Sequence, residues 1–523
     1  MSFMVHFKSA IMGLLDWTQP ADKCLPFHST KYPLMNNRNG YAKASPEGRT
    51  PATASENLKL LIDGALVDGA TTLDVINPAT GKSFAQAPRA DRALAEKAIA
   101  AAKRAFPSWS ALGYAGRSKL VDAFASAIES RFQEFSHLLT QEQGKPTTEA
   151  DSEIAATIGA LRYFAAQEVL PTILRETDEE LIIEQHYAQG VVAAITPWNY
   201  PLLLLIFKIG PALMAGNSVI AKPAPTTPLT TLLLGEVAYR IFPAGVLQTL
   251  VDQNDLGAML TSHPDIAHVS FTGSTLTGKK VLNSSVDTLK RFTLELGGND
   301  AAIVLDDIDI DTFAPQIFTA SMLNAGQVCL ATKRLYVPRH MLDDLTRALG
   351  MIADKAKLGN GLEHDTTIGP IQNRMQYEKL LDFLEEARAL GTIVAGGHAV
   401  EGDGYFIRPT IVKGLPADAR LIREEQFGPI LPVIPYDDID EAIELANDSE
   451  YGLAGIIWTG DVARGVEVAS RIEAGTIWIN QYLAVPFDVP IGGAKQSGMG
   501  VQNGIEGIKD FTQRRVVNAK KSI

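Results

Sequence analysis

The apolar residues of this chain fall into two kinds of pattern, each predicting a different element. From Ser118 onward Val121, Phe124, Ile128, Phe132, Phe135 and Leu139 recur at three- and four-residue steps, the spacing of a helix with one buried face. Before it, Asp91–Phe106 opens on an aspartate that can accept from the free amides of a first turn, then runs rich in Ala, Lys and Arg. Both read as helices packed on something larger. From Val191 the pattern changes to short continuous apolar runs: Val191–Ile195, Ser218–Ala221, Ala267–Phe271, Thr293–Leu296 and Ala301–Leu305. Continuous runs suit strands covered on both faces, as in a parallel sheet. Leu202–Met214 and Thr275–Ser284 lie between them and suit crossover helices. A further α/β stretch runs from about Ile310 to Asn480, with helices at Asp311–Asn324 and Met341–Lys357. Near the end the β-rich stretch 511–519 has no hairpin partner, so it needs a sheet edge to join, such as one on another subunit.

These elements predict an α/β chain of doubly wound type, and 523 residues allow two or three domains. With 47 basic against 60 acidic residues the net charge is −13, which argues against nucleic acid or an anionic membrane as partner. Cys24 and Cys329 stand far apart in different contexts, so no disulfide framework is implied and a reducing compartment, the cytoplasm, is expected. The longest apolar runs, such as Pro201–Phe207, are far too short to span a bilayer. The first 55 residues stand apart: Phe3, Phe7, Ile11 and Leu14 could share a helical face and no acid precedes Asp16. A mitochondrial targeting segment looks partly like this, but such segments are Arg-rich and the first arginine here is Arg38. Residues 36–57 are polar and rich in Asn, Ser, Thr, Gly and Pro. A flexible, variable extension over residues 1–55 is therefore expected.

Three residues could carry chemistry together. Cys329 follows Gly326-Gln327-Val328 in a turn after a helix; a lone cysteine is usually a buried structural one, yet its thiolate is a strong nucleophile. Glu295 ends an apolar strand just before Gly297-Gly298. There it is either an ion-paired strand end or a carboxylate whose pKa burial raises toward that of a general base near neutrality. Asn199 sits between Trp198 and Tyr200 in a Pro-bounded turn; it is either a local turn residue or an amide donor to a developing oxyanion. A nucleotide site is also suggested, although GxGxxG is absent. The small residues 272–278 lead from a strand into a helix, whose first amides can receive a phosphate. Lys222, ending another strand, could bond ribose hydroxyls at the carboxyl edge of the sheet, or be a solvated surface charge. No metal site is indicated.

Taken in order, INPATGK (76–82), EQGKP (142–146), ITPWNYPL (195–202), KPAPTTP (222–228), FTGSTLTGK (271–279), LELGGND (294–300), GQVC (326–329), EEQFGP (424–429), NDSEYGL (447–453), GTIWIN (475–480) and GGAKQSGMG (492–500) resemble the aldehyde dehydrogenase superfamily, from about Asn57 to Val517. The resemblance implies a Rossmann-type dinucleotide-binding domain over 56–170 and 190–297. It also implies a catalytic domain over 298–496, and oligomerisation strands at 171–189 and 508–523. It implies Cys329 as nucleophile, Glu295 as the base for a hydrolytic water, and Asn199 with the Cys329 amide as oxyanion hole. Around the cofactor it implies Thr196, Trp198, Lys222, Thr272, Gly273, Ser274, Glu425 and Phe427. It also implies a small-molecule aldehyde as partner and a homodimer or homotetramer as assembly.

Glu295 favours hydrolysis over transfer of the acyl group to CoA, since the CoA-acylating branch generally lacks a base here. NAD-preferring members commonly carry a glutamate three residues after the lysine; here that position is Pro225. NAD is expected, but the group that would repel NADP is missing. The positions that resemble the family's aldehyde tunnel read Tyr200, Leu203, Phe207, Leu323, Leu330, Leu483, Val485 and Ile491. None is charged, so an apolar aliphatic or aromatic aldehyde is expected; a carboxylate or phosphate substrate would want Arg or Lys. The alternatives are a CoA-dependent acylating enzyme, or a catalytically silent binding protein on the same fold.

Overall fold

A computed structural model describes residues 57–521. The expected N-terminal extension, including Cys24, lies outside the described residues, as do the last two positions of the 508–523 segment.

Two parallel sheets carry the chain. The first has the order Gly498–Met499, Arg291–Glu295, Ile266–Thr272, Val191–Ile195, Ser218–Lys222, Leu247–Thr249. All its pairs are parallel except the two-residue edge at Gly498–Met499. Val191–Ile195 and Ser218–Lys222 are buried throughout. β-branched and small side chains can fill both faces of such a strand without a polar alternation. The second sheet runs Thr392–Ala395, Thr410–Lys413, Ile430–Tyr436, Arg334–Pro338, Ala301–Val304, Ala454–Trp458, Thr476–Ile479. It too is parallel apart from its first strand. Edge strand Gly498–Met499 thus returns to the first sheet after the chain has built the second.

Helices cover the first sheet. Asp91 caps Arg92–Ala111, its Oδ1 accepting from the Leu94 amide at 2.9 Å. The apolar pattern expected as one helix from Ser118 is divided in two, Gly113–Ser130 and Phe132–Gln143, with a break at Arg131. Arg131 leaves helical geometry at φ −112°, ψ 21°, and its guanidinium grips Glu134 at 2.7 Å and Glu236 at 3.3 Å. Because the stripe continues in phase across the break, Val121, Phe124, Ile128, Phe135 and Leu139 all remain buried.

The terminal strand is not without a partner in its own chain. Thr512–Lys520 pairs antiparallel with Glu180–Ala188 over nine residue pairs, and Thr172–Glu176 completes a three-stranded sheet. The sheet order that closes this ribbon is non-local, so adjacency along the sequence could not show it. The ribbon stays largely exposed, with Ile173, Leu174, Tyr187, Val516 and Val517 uncovered.

Candidate active site

In the first sheet the chain steps from Val191–Ile195 outward to Ser218–Lys222 and Leu247–Thr249, then crosses back to Ile266–Thr272 and Arg291–Glu295. The order therefore reverses between Val191–Ile195 and Ile266–Thr272. The carboxyl edge at such a switch point is where open α/β sheets leave a crevice for ligands. Thr196, Lys222, Thr272 and Glu295 all stand on that edge, with Ile195 opposite Lys222 and Thr272 opposite Glu295. Gly273 donates its amide to the Glu295 carbonyl at 3.1 Å. Ser274 then caps the helix Thr275–Asn283, accepting from the Thr277 amide at 3.3 Å.

The second sheet presents Cys329 to this edge on a forced turn. Asn324, Ala325 and Gly326 hold positive φ of 52°, 54° and 71° in succession. At Gly326 a side chain would meet the Gly428 carbonyl at 2.3 Å, so only glycine fits. Strain of this kind persists where surroundings fix it, and here polar groups do. The Asn324 amide donates to Glu149 Oε2 at 3.0 Å, and Asn324 Nδ2 to the Asn199 carbonyl at 3.1 Å. Gln327 Nε2 donates to the Asn324 and Pro370 carbonyls, while its Oε1 accepts from the Gln372 amide.

Asn199 joins the turn directly, Nδ2 donating to the Gln327 carbonyl at 2.9 Å. A side-chain amide has two N–H groups, so this bond uses one and leaves the second. Beneath it lies a fully buried ion pair, Lys145 Nζ to Glu153 Oε2 at 2.6 Å. Lys145 also donates to the Asn199 carbonyl at 3.0 Å and stands 3.5 Å from the Tyr200 ring centre. Glu153 Oε1 accepts the Leu202 and Leu203 amides, capping the helix Leu203–Ala215.

Cys329 is partly exposed, with its thiol pushed up to about 12, mainly by burial, while Lys333 pulls it down and Asp300, Glu425 and Glu295 push it further up. Lys333, Asp300, Glu425 and Glu295 are thus the charged groups that act on the sulfur. The Gly297-Gly298 turn after Glu295 runs beside the Cys329 backbone, since a side chain at Gly298 would meet the Cys329 carbonyl at 3.2 Å. Glu295 is buried and its Oε1 has no hydrogen-bond partner. Burial raises its carboxyl well above the usual range, against the opposing pull of Lys208 and with Asp510 adding to it. Lys208, fully buried, is itself lowered by burial, and its Nζ donates to Ser270 Oγ at 3.3 Å.

Some of the cofactor candidates contact one another or the Gly297-Gly298 turn. Glu425 Oε1 accepts the Gly298 amide at 3.0 Å, and Trp198 meets Phe427 edge to face at 5.4 Å. The Thr196 and Thr272 hydroxyls are buried without any partner. Unmet buried hydroxyls on a switch-point edge, next to a capped helix start, fit a dinucleotide with its ribose and phosphate oxygens. Lys222 does not stand alone, since its Nζ is 2.6 Å from Asp252 Oδ1.

The tunnel candidates divide. Tyr200, Leu323, Leu330 and Leu483 cluster with Val328, the residue before Cys329. Leu203 and Phe207 belong to the core of the first sheet, where Phe487 meets Phe207, and Val485 flanks the core of the second. Ile491 is half-buried, its main chain bridged to Gln502. The sequence did not reveal Lys145, Glu149, Glu153, Lys208, Lys333, Asp252, Tyr163 or Phe487. Only Lys145 lay in a stretch singled out by resemblance, and isolated charged residues such as most of the others ordinarily read as solvated.

Comparison with known proteins agrees with this geometry. The model of the aldehyde dehydrogenase family matches residues 66–517. An aldehyde dehydrogenase of a Fusarium species is 40% identical, the match covering 84% of this chain and 94% of that protein. A betaine aldehyde dehydrogenase of Rhizobium leguminosarum is 36% identical over 87% of this chain and 96% of its own. Among solved structures, an aldehyde dehydrogenase of Bacillus cereus in complex with NAD+ superposes with a TM-score of 0.87 at 35% identity, covering 90% of this chain and 98% of that one. A betaine aldehyde dehydrogenase of Staphylococcus aureus, also with NAD+, gives 0.86 at 33%, covering 89% and 95%. With the family model spanning most of its length and such relatives matching nearly end to end, this chain belongs to the aldehyde dehydrogenase family.

Proposed function

We propose that this protein oxidises an uncharged, apolar aldehyde to its carboxylic acid with NAD, through a thioester on Cys329 that water resolves. The observation that carries the reading is the meeting of three groups. Asn199 bonds the turn that bears Cys329, and the thiol feels the charge of Glu295. The cofactor would be held by Thr196, Trp198, Lys222, Thr272, Gly273, Ser274, Glu425 and Phe427, and when bound supplies the hydride acceptor and a positive charge near the sulfur. At rest, burial keeps Cys329 protonated, with Lys333 the cation of this chain that favours the thiolate. Once the thiol has given its proton to solvent water, the thiolate attacks the aldehyde carbon, and the spare N–H of Asn199 with the Cys329 amide stabilises the oxyanion, such donors being worth about 3 kcal/mol. Departure of the hydride leaves a thioester. Glu295, unpaired at Oε1 and raised by burial, then takes a proton from water, whose attack releases the acid and frees the sulfur.

Tyr200, Leu323, Leu330 and Leu483 around Val328 form an uncharged wall next to the sulfur, which supports an apolar substrate. Hexanal and benzaldehyde are expected to give a kcat/KM at least about tenfold above that of succinic semialdehyde, a margin of roughly 1.4 kcal/mol. NADH absorbance across an aldehyde panel checks this, and succinic semialdehyde running ahead of hexanal would sink it. A second reading rests on Phe487, whose ring lies 6.5 Å from Tyr163 and 6.3 Å from Phe207. Asp488 follows it and acts on Tyr163 by its charge. Aromatic faces beside a carboxylate suit a cationic aldehyde, so betaine aldehyde belongs in the same panel.

The exposed ribbon supports a homodimer or homotetramer, because bare apolar residues on an edge-bearing sheet are a surface for another subunit. Replacing Ile173 and Val516 with lysine is expected to lower the mass measured by light scattering. An unchanged mass would place the contact elsewhere.

A further inference from the structure

The first sheet carries a second carboxylate at its ligand edge, one that the sequence around Lys222 does not show. Leu247–Thr249 runs parallel to Ser218–Lys222 with Ala221 opposite Thr249, so both strands open onto the same carboxyl edge. Three residues beyond Thr249, Asp252 returns its side chain to Lys222, with Nζ and Oδ1 2.6 Å apart. Its Oδ2 accepts the Leu256 amide at 2.9 Å, which fixes the carboxylate where it lies. The Asp252 side chain is fully buried and that of Lys222 is 5% exposed, so little water screens the pair. The loop after Lys222 offers no other charge, since residues 223–228 read PAPTTP.

A lone ammonium beside a ribose would draw a 2′-phosphate strongly, because phosphate is the natural partner of an unpaired buried cation. With Asp252 on it, Lys222 is neutralised and a 2′-phosphate meets a fixed negative charge just behind it. An ammonium has three N–H groups; beside the charge contact with Asp252, one reaches the Pro223 carbonyl at 3.5 Å, and those left can still donate to neutral hydroxyls. We infer that Asp252, acting through Lys222, is a positioning residue that makes this end of the groove select a ribose with a free 2′-hydroxyl over one bearing a 2′-phosphate. It supplies from a neighbouring strand the negative charge that Pro225 does not. The inference rests on the reading that the adenosine half of the dinucleotide lies at Lys222.

The test is calorimetric titration of the full-length enzyme with 5′-AMP and with 2′,5′-ADP, with no aldehyde present. Wild type is expected to bind 5′-AMP at least about tenfold more tightly. Asp252→Asn, which keeps the shape and removes the charge, is expected to shrink that gap below about threefold or invert it, chiefly by tightening 2′,5′-ADP. A general loss of structure would weaken both nucleotides and leave the ratio alone. Lys222→Ala is expected to weaken 5′-AMP. Wild type binding the two alike, or an unchanged ratio in Asp252→Asn at wild-type melting temperature, overturns the inference. The wild-type ratio decides on its own if the variant does not fold. Failure of the underlying reading looks different: wild type then binds neither nucleotide, or Lys222→Ala binds both as wild type does, and the inference falls with it.

Discussion

Cys329→Ala is expected to lower kcat for aldehyde oxidation by about ten-thousand-fold or more, with melting temperature close to that of wild type. The size follows from the role, because without the sulfur no thioester forms and the remaining groups act on a free aldehyde. Structural cost is small by comparison. Cys329 is partly exposed in a turn, and the turn is held by Asn324, Gln327 and Glu149 rather than by the thiol. Asn199 would still hold the Gln327 carbonyl, so NAD affinity is expected to stay within about threefold of wild type. Steady-state NADH production with hexanal, together with a thermal melt, measures both halves. Turnover retained within tenfold would remove Cys329 from the mechanism.

Glu295→Gln separates the two halves of the reaction. Hydride departure needs the thiolate, whereas release of the acid needs a base for water. The variant is therefore expected to give a first turnover of NADH and then a steady state lower by about a hundred- to ten-thousand-fold. Rapid mixing reads this as a burst with a vanishing slope. The pH dependence has a definite sign. Burial raises the Glu295 carboxyl above the ordinary carboxylate range, so the protonated, inactive form persists to higher pH. Deacylation should climb as pH rises through that raised value, rather than being complete by about pH 5 as for an exposed glutamate. Lys208 lowers the Glu295 value, so Lys208→Met should move the limb to higher pH. A limb that survives in Glu295→Gln would belong to another group.

Much of the scaffold can be read from apolar spacing. Val191–Ile195 begins and ends where its continuous run does, and the crossover helix expected at Leu202–Met214 spans Leu203–Ala215. Such runs are legible because burial on both faces leaves no polar interruption. The break at Arg131 was not legible, since the stripe keeps its phase across it and the Arg131 ion pair with Glu236 is tertiary. Nor was the partner of the terminal strand, as 326 residues separate His186 from Thr512, which share a side-chain bond at 2.7 Å. For the site, the strand-end positions of Lys222, Thr272 and Glu295 followed from the sheet, while roles for Glu425 and Phe427 came only with the resemblance. The buried charges beneath it were invisible. Glu149 and Glu153, on one helix with no apolar signature of their own, reach Asn324 and Lys145 only once that helix packs against the turn of Cys329. Glu153 there caps another helix and shares Lys145 with the Asn199 carbonyl. Breaking one partner of such a buried pair typically costs about 3–5 kcal/mol, so stability and site geometry are tied at that point.

The most direct measurement is of the sulfur itself. Glu295→Gln mixed with hexanal and NAD, quenched in acid within the burst and digested, is expected to show the peptide containing Cys329 heavier by one hexanoyl group, in step with the NADH formed. A burst of NADH with that peptide unmodified, or the acyl group on any other residue, would contradict a covalent mechanism through Cys329.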